Sequence, residues 1–234
     1  MKILTWNCNM NFKSDFSALN CSDVDVLFIQ ECEKVSRDHF EGFDFHWVGQ
    51  NDQKGLGVLT RGASKFPQEI YRSDFIYFMP VLYQDYFILG AWAFNGRAQK
   101  FGVKSSGYFL DVLEHYREHI RASKKVIIAG DFNNGPQWDT PGHRNNFMGI
   151  DEALSNLGLF SAYHRSKSEE FGKESLPTHF HQRNVNKPFH IDYIYSNLKP
   201  IKPVEVGLFE DWSMFSDHVP VTAEFEDHFS SETQ

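Results

Sequence analysis

The sequence predicts a single α/β domain that contains mixed, largely antiparallel β-sheets. The chain has 234 residues, enough for one sizeable core, and 41% of them are hydrophobic. Short runs of β-branched and aromatic residues follow one another, and two or three helical segments separate them. This order of elements is typical of one α/β domain. We place the domain at residues 1–227 and expect residues 228–234 to be a frayed tail.

The first half of the chain is rich in predicted strands. They lie at residues 1–7, 24–30, 45–48, 57–60, 64–71, 76–83 and 86–94. We expect the last three to form an antiparallel meander, with Gln84 and Asp85 as a tight turn. A helix is predicted at residues 13–20, because Phe12, Phe16 and Leu19 lie on one stripe.

The second half combines helices with further strands. The clearest helix is predicted at residues 108–122, whose apolar residues cluster on one side. A second helix at residues 150–157 is followed by Gly158, a residue typical of that position. Strands are predicted at residues 125–129, 191–195, 204–206 and 219–225. The histidine-rich segment 166–186 is predicted to be a long loop with a short strand at 178–181.

The charge of the chain restricts how it can bind a polyanion. The net charge is −8 at pH 7, and there is no basic run beyond Lys124-Lys125. A protein that binds phosphate backbones usually presents a basic face. Either divalent cations neutralise the substrate, or the substrate is small, or a basic patch forms only in the folded structure.

The expected location is the cytoplasm. No apolar stretch approaches the ~20 residues of a membrane helix, and the N-terminal segment has a strand pattern rather than that of a signal peptide. Cys8, Cys21 and Cys32 are too few and too scattered for a disulfide framework, and they form no CxxC pair. We therefore expect reduced, buried thiols.

Two polar motifs lie next to predicted strands. Gly130-Asp131-Phe132-Asn133 follows the apolar run 125–129. Because side chains on a strand alternate, Asp131 and Asn133 are expected to point the same way. Ser216-Asp217-His218 precedes the strand at 219–225. Ionisable residues are costly to place at strand ends, so we interpret both motifs as functional.

Further polar residues lie at or within other strands, namely Asn7, Asn9, Glu31 and Asp192. Such a distribution is expected when several strands converge on one face. Each residue also has a structural interpretation: a turn for the asparagines, a solvated strand end for Glu31, and an arginine partner for Asp192. All of these interpretations would have to hold at once, which favours a functional one.

Five segments carry a resemblance to a known superfamily. They are Thr5-Trp6-Asn7-Cys8-Asn9, Ile29-Gln30-Glu31, Gly130-Asp131-Phe132-Asn133, Ile191-Asp192-Tyr193-Ile194 and Ser216-Asp217-His218. In this order they resemble the endonuclease/exonuclease/phosphatase superfamily, which includes exonuclease III, apurinic endonucleases, deoxyribonuclease I and sphingomyelinases. The resemblance implies a four-layer α/β sandwich of the deoxyribonuclease I type, in which two mixed β-sheets face each other with helices outside.

The resemblance also implies a divalent-metal site. A phosphodiester is anionic, so its hydrolysis requires neutralisation of the phosphate and an activated nucleophile. Oxygen ligands select Mg²⁺ or Mn²⁺. Glu31 is the first-choice ligand, with Asn9 and Asp217 beside it or bound through water. Asn7 is expected near Glu31 or the phosphate.

Further residues are implied for the movement of protons. Asp131 is the best candidate to align or deprotonate the attacking water, and Asn133 is expected to face the nucleophile or the scissile oxygens. Asp192 would fix the tautomer of His218 and raise its pKa, so that His218 holds a phosphate oxygen or transfers a proton. Both Asp131 and His218 are candidates for the general base.

Trp92 stands where the superfamily usually carries Tyr or His. Its indole has no titratable proton near neutral pH, so it is not a general acid. It is expected to bind a phosphate oxygen or stack on a base, or else to be a core aromatic. The leaving group is then protonated from water at the metal site or by a histidine between residues 143 and 190. Those histidines are His143, His164, His179, His181 and His190.

Other candidate substrate contacts are Arg144, His164, His179, His190 and Trp212. Arg144 would contribute to a local basic patch, and Trp212 would wall the pocket or cover its rim, as would Trp138. His179 and His181 would share one face of a strand, so a zinc site is a further option. No HExxH motif or cysteine partner supports that option.

The sequence therefore predicts a hydrolase of phosphodiester bonds that depends on Mg²⁺ or Mn²⁺. The leading hypothesis is a nuclease that acts on DNA or RNA by in-line attack of an activated water. One alternative is a phosphatase or phosphodiesterase for a small-molecule or lipid phosphate, which the negative net charge favours. A second alternative is a non-catalytic phosphate-binding module, which the complete set of acids and histidine disfavours.

Overall fold

The computed structural model describes residues 1–10, 12–36, 39–93 and 109–226. The strands are β1 (Lys2–Asn7), β2 (Val26–Cys32), β3 (Phe43–Asn51), β4 (Lys54–Arg61), β5 (Phe78–Tyr83), β6 (Tyr86–Trp92), β7 (Lys125–Asp131), β8 (Phe160–Ser161), β9 (His179–Phe180), β10 (Pro188–Phe189), β11 (Asp192–Ser196), β12 (Glu205–Val206) and β13 (Val221–Glu224). The α-helices are α1 (Phe12–Asp15), α2 (Phe109–Ala122), α3 (Phe147–Asn156), α4 (Ala162–Lys167) and α5 (Phe209–Trp212). Short 3₁₀ helices lie at Phe16–Ala18, Ser73–Phe75, Pro136–Trp138 and His181–Arg183.

The strands form two mixed sheets and one short hairpin. The first sheet has the order β12-β13-β1-β2-β4-β3, the second has the order β5-β6-β7-β11-β8, and β9 pairs with β10. β1 runs parallel to β2, and β6 runs parallel to β7. The other neighbouring strands are antiparallel. The prediction of mixed, largely antiparallel sheets is confirmed.

The two sheets face each other across a shared hydrophobic core. Ile3 and Phe28 from the first sheet belong to one cluster with Ile88 and Ile127 from the second. Because side chains alternate along a strand, β1 directs Ile3 into this core and Trp6 to the opposite face. Side chains on the inner faces of the strands can therefore meet across the gap between the sheets, including at its end.

Helices cover the outer faces of both sheets. On the second sheet, Phe109 and Tyr116 of α2 pack in one cluster with Val126 and Ile128 of β7. On the first sheet, Phe12 of α1 belongs to the cluster that contains Trp6. Two facing sheets with helices outside confirm the four-layer sandwich that the resemblance implies.

Two predicted elements differ from the structure. The helix predicted at 13–20 is shorter, since α1 passes into the 3₁₀ helix Phe16–Ala18. The segment 64–71, all of which the structure describes, is not a strand and contributes one bridge, from Lys65 to Leu82. Pro67 lacks an N–H, and its carbonyl accepts the N–H of Ile70, so the chain turns there.

The sequence analysis missed several short elements. β8, β10 and α5 have two to four residues, and α4 has six. Elements of this length show no measurable periodicity. The predicted strand end at residue 94, the helix start at residue 108 and the tail 228–234 lie outside the described residues. The domain boundary at residue 227 therefore stays a prediction.

In the described parts of the chain, no helix combines the length and the apolar character that crossing a membrane requires. The three cysteines are buried thiols. Burial raises the pKa of Cys21 to about 11, so this thiol is protonated at neutral pH.

Gly130 is required for the close approach of β7 to β6. Its φ is +147°, and a Cβ atom there would lie 1.7 Å from the carbonyl oxygen of Ala91. We expect Gly130→Ala to lower the free energy of unfolding by about 2–5 kcal/mol, because backbone strain and overpacking add. Chemical denaturation measures this change.

Gly149 provides the matched control. It lies in α3, where a Cβ atom would meet nothing within 4 Å. We expect Gly149→Ala to raise the free energy of unfolding by up to about 1 kcal/mol, because alanine favours the helix. Equal stability of the two variants would contradict our account of Gly130.

Candidate active site

Polar residues converge at one end of the gap between the sheets. β7 and β11 are antiparallel neighbours, so Asp131 at the end of β7 lies opposite Asp192 at the start of β11. Asn7 ends β1 in the facing sheet. Since side chains alternate, Asn7 shares a strand face with Ile3, and Asp131 shares one with Ile127. Asn7 and Asp131 therefore lie on the facing sides of the two sheets.

The Asn7 side chain connects the two sheets. Its Nδ2 donates to Asp131 Oδ2 at 3.1 Å and to Glu31 Oε1 at 3.3 Å. Its Oδ1 accepts the backbone N–H of Asn9 at 3.2 Å. Asn7 is 2% exposed, so solvent does not compete for these bonds. The amide thereby holds one carboxylate from each sheet in a fixed relation.

Glu31 is turned toward this cluster by an irregularity in β2. Its φ is +56°, and the pairing with β4 shifts between Gln30 and Cys32. Such a bulge re-aims the side chain. Glu31 Oε2 binds Lys54 Nζ at 2.7 Å. Lys54 Nζ also lies 5.2 Å from the centre of the Trp92 ring.

Asn133 approaches Asp131 through a turn, and not through the strand alternation that we predicted. β7 ends at Asp131, and Asn133 has a φ of +46°. The Asn133 backbone N–H donates to Asp131 Oδ1 at 2.8 Å, and its Nδ2 donates to Oδ2 at 3.0 Å. Asparagine tolerates this left-handed conformation better than most residues. The two side chains therefore converge, but by a different local geometry.

His218 lies between two buried aspartates. Its Nδ1 is 2.9 Å from Asp192 Oδ2, and its Nε2 is 3.9 Å from Asp131 Oδ2. His218 is 4% exposed. The structure thus brings the predicted pair of His218 and Asp192 together, and the second ring nitrogen of His218 faces Asp131.

The segment that carries His218 is fixed to the end of β1. Ser216 Oγ donates to the backbone oxygen of Asn7 at 2.7 Å and accepts the His218 N–H at 3.0 Å. Trp6 Nε1 donates to the backbone oxygen of His218 at 3.1 Å. These bonds set the distance between the imidazole and the Asn7 amide.

Thr178 positions the same region from the other side, and the sequence analysis missed it. Its Oγ1 accepts the backbone N–H groups of Ile191 at 3.0 Å and Asp192 at 3.1 Å. Its carbonyl accepts the N–H of Val219 at 2.8 Å. A threonine in a polar, histidine-rich segment shows no pattern that distinguishes it from a loop residue.

Burial and charge set the protonation of the central pair. Burial, followed by the repulsion of Asp192, raises the pKa of Asp131 to about 7, although His218 and two asparagine hydrogen bonds oppose this shift. Burial lowers the pKa of His218, but the charge and hydrogen bond of Asp192, with the charges of Asp131 and Asp217, raise it to about 10. These effects favour a protonated imidazole at neutral pH and move the pKa of Asp131 up toward neutrality.

Asp217 lies beside His179 on the other side of His218. Its Oδ2 is 3.5 Å from His179 Nε2, and the rings of His179 and His218 are 4.4 Å apart. Burial raises the pKa of Asp217, but the bond to His179 and the charges of both histidines lower it to about 2. The possible ligand atoms of His179, Asp217 and His218 lie within 4.8 Å of one another. Those of Asp131, Asp192 and His218 do so too.

Two predicted substrate contacts belong to other parts of the fold. Arg144 forms an ion pair with Asp111 of α2, so it lies against the outer helical layer. Trp212 packs edge to face on Trp6 at 5.2 Å and covers the outer face of the first sheet. The backbone oxygen of Trp212 also accepts the N–H of Ser216 at 3.0 Å. The substrate contacts of Arg144 and Trp212 stay predictions.

Three predicted histidines also have other partners. His164, placed by α4, lies 3.1 Å from Glu174 through Nε2. His190 is buried, and its Nδ1 bonds the carbonyl oxygen of Leu176 at 2.8 Å. His181 lies in a 3₁₀ helix, because β9 ends one residue earlier. The strand face that His179 and His181 were expected to share is therefore absent.

Residues 4–218 match the sequence pattern of the Endonuclease/Exonuclease/phosphatase family. The chain belongs to this family. No curated protein sequence matches it significantly.

Solved structures with a similar fold include nucleases and a 3′ phosphatase. A 3′-5′ exonuclease (NExo) from Neisseria meningitidis is 22% identical, with a TM-score of 0.74 over 97% of this chain and 100% of that chain. The 3′ phosphatase NExo from Neisseria bound to a product DNA hairpin is 23% identical, with a TM-score of 0.71 over 97% and 99% of the two chains. An AP endonuclease from Archaeoglobus fulgidus is 16% identical, with a TM-score of 0.69 over 97% and 99%. These similarities show a shared fold.

Trp92 is a core residue in this member of the Endonuclease/Exonuclease/phosphatase family. It is 1% exposed and packs against Tyr77 with ring centres 4.6 Å apart. The β6–β7 pairing places Trp92 beside Asp131. A buried indole has no exposed face on which a base could stack, so the structure favours the core interpretation of Trp92. A bond from Trp92 to a phosphate oxygen stays a prediction.

The residues present fit the divalent cation that membership of this family implies. The side chains of Glu31 and Asp217 are 20% and 32% exposed, so each carboxylate is accessible to a hydrated ion. The ammonium group of Lys54 already occupies a cation position on Glu31. Asn9 follows at the end of β1 and offers a neutral oxygen. Oxygen donors of this kind suit Mg²⁺ or Mn²⁺.

Replacement of Thr178 tests the framework of this site. Thr178→Val keeps the shape but leaves two buried N–H groups unpaired, so we expect the free energy of unfolding to fall by about 1–3 kcal/mol. Thr178→Ser keeps the hydroxyl and should lose less than half of that. Denaturant titration measures both, and equal stability of the valine and serine variants would contradict this role.

Proposed function

We propose that the protein is a phosphodiesterase that depends on Mg²⁺ or Mn²⁺ and acts on nucleic acid. The arrangement of His218 between Asp192 and Asp131, tied to Glu31 through Asn7, carries this proposal. It combines a proton acceptor, a cation and a carboxylate for a metal ion at one end of the sheets. Membership of the Endonuclease/Exonuclease/phosphatase family supports the same reaction class.

The protonation states favour Asp131 as the base. A pKa of about 7 lets Asp131 accept a proton from water near neutral pH. The amide of Asn133, which binds Asp131, would orient the same water. His218, with its pKa of about 10, is already protonated and is better suited to hold a phosphate oxygen by a charge-assisted hydrogen bond. Asp192 holds the ring for that contact.

Glu31, with Asn9 and Asp217, would hold the divalent ion. The ion supplies charge neutralisation for the phosphate and for the developing transition state. Removal of the ion with EDTA should therefore abolish turnover. Of the histidines considered as donors to the leaving group, His179 lies against His218 and is the candidate that the structure favours.

A nucleic-acid substrate is favoured by aromatic rings next to this cluster. Trp138 is 44% exposed and packs on Phe189 with ring centres 5.1 Å apart. Phe189 in turn stacks on His179 at 6.0 Å. Exposed rings beside a phosphate site suit nucleobases. The 3′ phosphatase NExo, which is similar in fold and bound to a product DNA hairpin, supports this substrate class.

Two alternative functions differ from the proposal, one in its substrate and the other in the absence of catalysis. The net charge of −8 favours a phosphatase or phosphodiesterase for a small-molecule or lipid phosphate. A non-catalytic phosphate-binding module would not need a carboxylate with a pKa near neutrality beside an oriented imidazole. The cytoplasmic location that the sequence predicts stays part of the proposal.

A panel of substrates tests the proposal directly. The protein is incubated with Mg²⁺ or Mn²⁺ and an abasic duplex, a 3′-phosphorylated duplex, single-stranded DNA, RNA, phosphoinositides or nucleoside monophosphates. We expect cleavage of at least one nucleic acid. Cleavage of the small or lipid phosphates alone would overturn the nucleic-acid preference, and no cleavage at all would favour the binding module.

Variants of the central residues test the mechanism. We expect Glu31→Gln, Asp131→Asn and His218→Gln each to lower kcat by about 100-fold or more, because each removes a charge or proton acceptor at the reacting centre. Asp151→Asn is the control: burial also raises the pKa of Asp151, but it binds Tyr195 in the outer layer. The circular dichroism spectrum of each variant should match that of the wild type, so that the loss of kcat does not reflect unfolding. A normal kcat in Asp131→Asn would exclude Asp131 as the base.

A further inference from the structure

One lysine lies among the carboxylates of the active site. Lys54 Nζ is 2.7 Å from Glu31 Oε2. The other active-site carboxylates, Asp131, Asp192 and Asp217, form ion pairs with histidines. Within residues 1–10, 12–36, 39–93 and 109–226, no other lysine or arginine forms an ion pair with these four groups. Lys54 is therefore the permanent cation nearest to the proposed metal ligand.

The surroundings of Lys54 hold its charge at the site while leaving it accessible. Lys54 begins β4 and pairs with Asn51, so its backbone is fixed. Its side chain is 35% exposed. The ammonium lies 5.2 Å from the centre of the buried Trp92 ring, and attraction to the ring face favours that position. Trp92 in turn is held against Tyr77 and beside Asp131.

This arrangement matters because the site is rich in negative charge. Four carboxylates within one cluster repel a phosphodiester, and the protein as a whole carries a net charge of −8. The ion pair between Lys54 and Glu31 is partly open to solvent, which screens it, so stability alone gives Lys54 little reason to lie there. A lysine has a flexible stem and three N–H donors, and it can move from a carboxylate to a phosphate oxygen nearby.

We propose that Lys54 is a catalytic residue that contacts a non-bridging oxygen of the substrate phosphate, with the Trp92 ring as its support. The proposal rests on the proposed function, because it assigns a role within the same site. It explains how Trp92 participates without a titratable proton: its ring places a cation, and the cation binds the phosphate. The contact requires no divalent ion, so binding without metal also reports it.

Three variants separate this role from a structural one. Lys54→Gln removes the charge, and Lys54→Arg retains it. Lys125→Gln is the matched control, because Lys125 pairs with Asp85 at 3.2 Å and lies 4.9 Å from the centre of the Tyr86 ring. Lys125 stands at the start of β7, at the opposite end of that strand from Asp131.

Two measurements are made on each variant. The first is kcat and KM at saturating Mg²⁺ or Mn²⁺ with the nucleic acid that the panel identifies. The second is the affinity for a fluorescein-labelled single-stranded DNA oligonucleotide in EDTA, over a series of salt concentrations. We expect Lys54→Gln to lower kcat/KM by about 10- to 100-fold, as the loss of a charged hydrogen bond implies.

The binding arm has its own expected result. Lys54→Gln should weaken the oligonucleotide complex in EDTA and reduce the slope of log K against log salt by about 0.7, the value for one phosphate contact on a single strand. Lys54→Arg should restore most of both losses, and Lys125→Gln should behave as the wild type. Together these results would support the phosphate contact.

Other outcomes overturn the proposal. If Lys54→Gln loses turnover while its binding and salt slope in EDTA match the wild type, Lys54 only positions Glu31. If Lys54→Gln equals the wild type in both turnover and binding, Lys54 has no role in either. If the wild type cleaves nothing in the panel, the proposed function fails, and the EDTA measurement alone decides: equal affinity of wild type and Lys54→Gln, including no binding by either, overturns the role of Lys54.

Discussion

The hydrogen bond between Asn7 and Asp131 is the interaction on which the active site depends. It crosses from the first sheet to the second, inside a gap that is lined mostly by aliphatic and aromatic side chains. A buried polar group without a partner is costly, so each of these residues needs the other. The same amide also binds Glu31. One neutral side chain therefore fixes the separation of Asp131, the proposed base, from Glu31, the proposed metal ligand.

The charged residues around this bond differ in how deeply they are buried. Asp131 and Asp192 are almost fully buried, and protonated His218 lies between them. Glu31 and Asp217 lie farther out and are partly exposed. In the proposed mechanism, proton transfer therefore takes place in the dry interior, where pKa values shift most, and the metal ion binds at the wetter edge. A neutral amide at Asn7 joins the two zones without adding to the repulsion.

Much of the fold followed from the sequence, and the reasons are visible in particular elements. β2, β7 and α2 are long, apolar and regular, so their patterns were clear. Asp131, Asp192 and His218 stood out because ionisable groups next to such runs are unusual. Lys54 and Thr178 gave no such signal, because their roles come from contacts with Glu31, Trp92 and the start of β11, which chain order does not show. Arg144 and Trp212 gave no signal of their partners either, because the ion pair with Asp111 and the packing on Trp6 are contacts that chain order does not show.

The bonds that fasten His218 to β1 have a consequence for how the chain folds. Trp6 and His218 are 212 residues apart, and Ser216 and Asn7 are 209 residues apart, so nearly the whole polypeptide lies between the partners. Contacts across such long loops form slowly, because closing the loop costs entropy before any bond rewards it. Local hairpins such as β3–β4 can assemble much earlier. The catalytic groups therefore come together late, and the return of activity after denaturation would mark the completion of refolding.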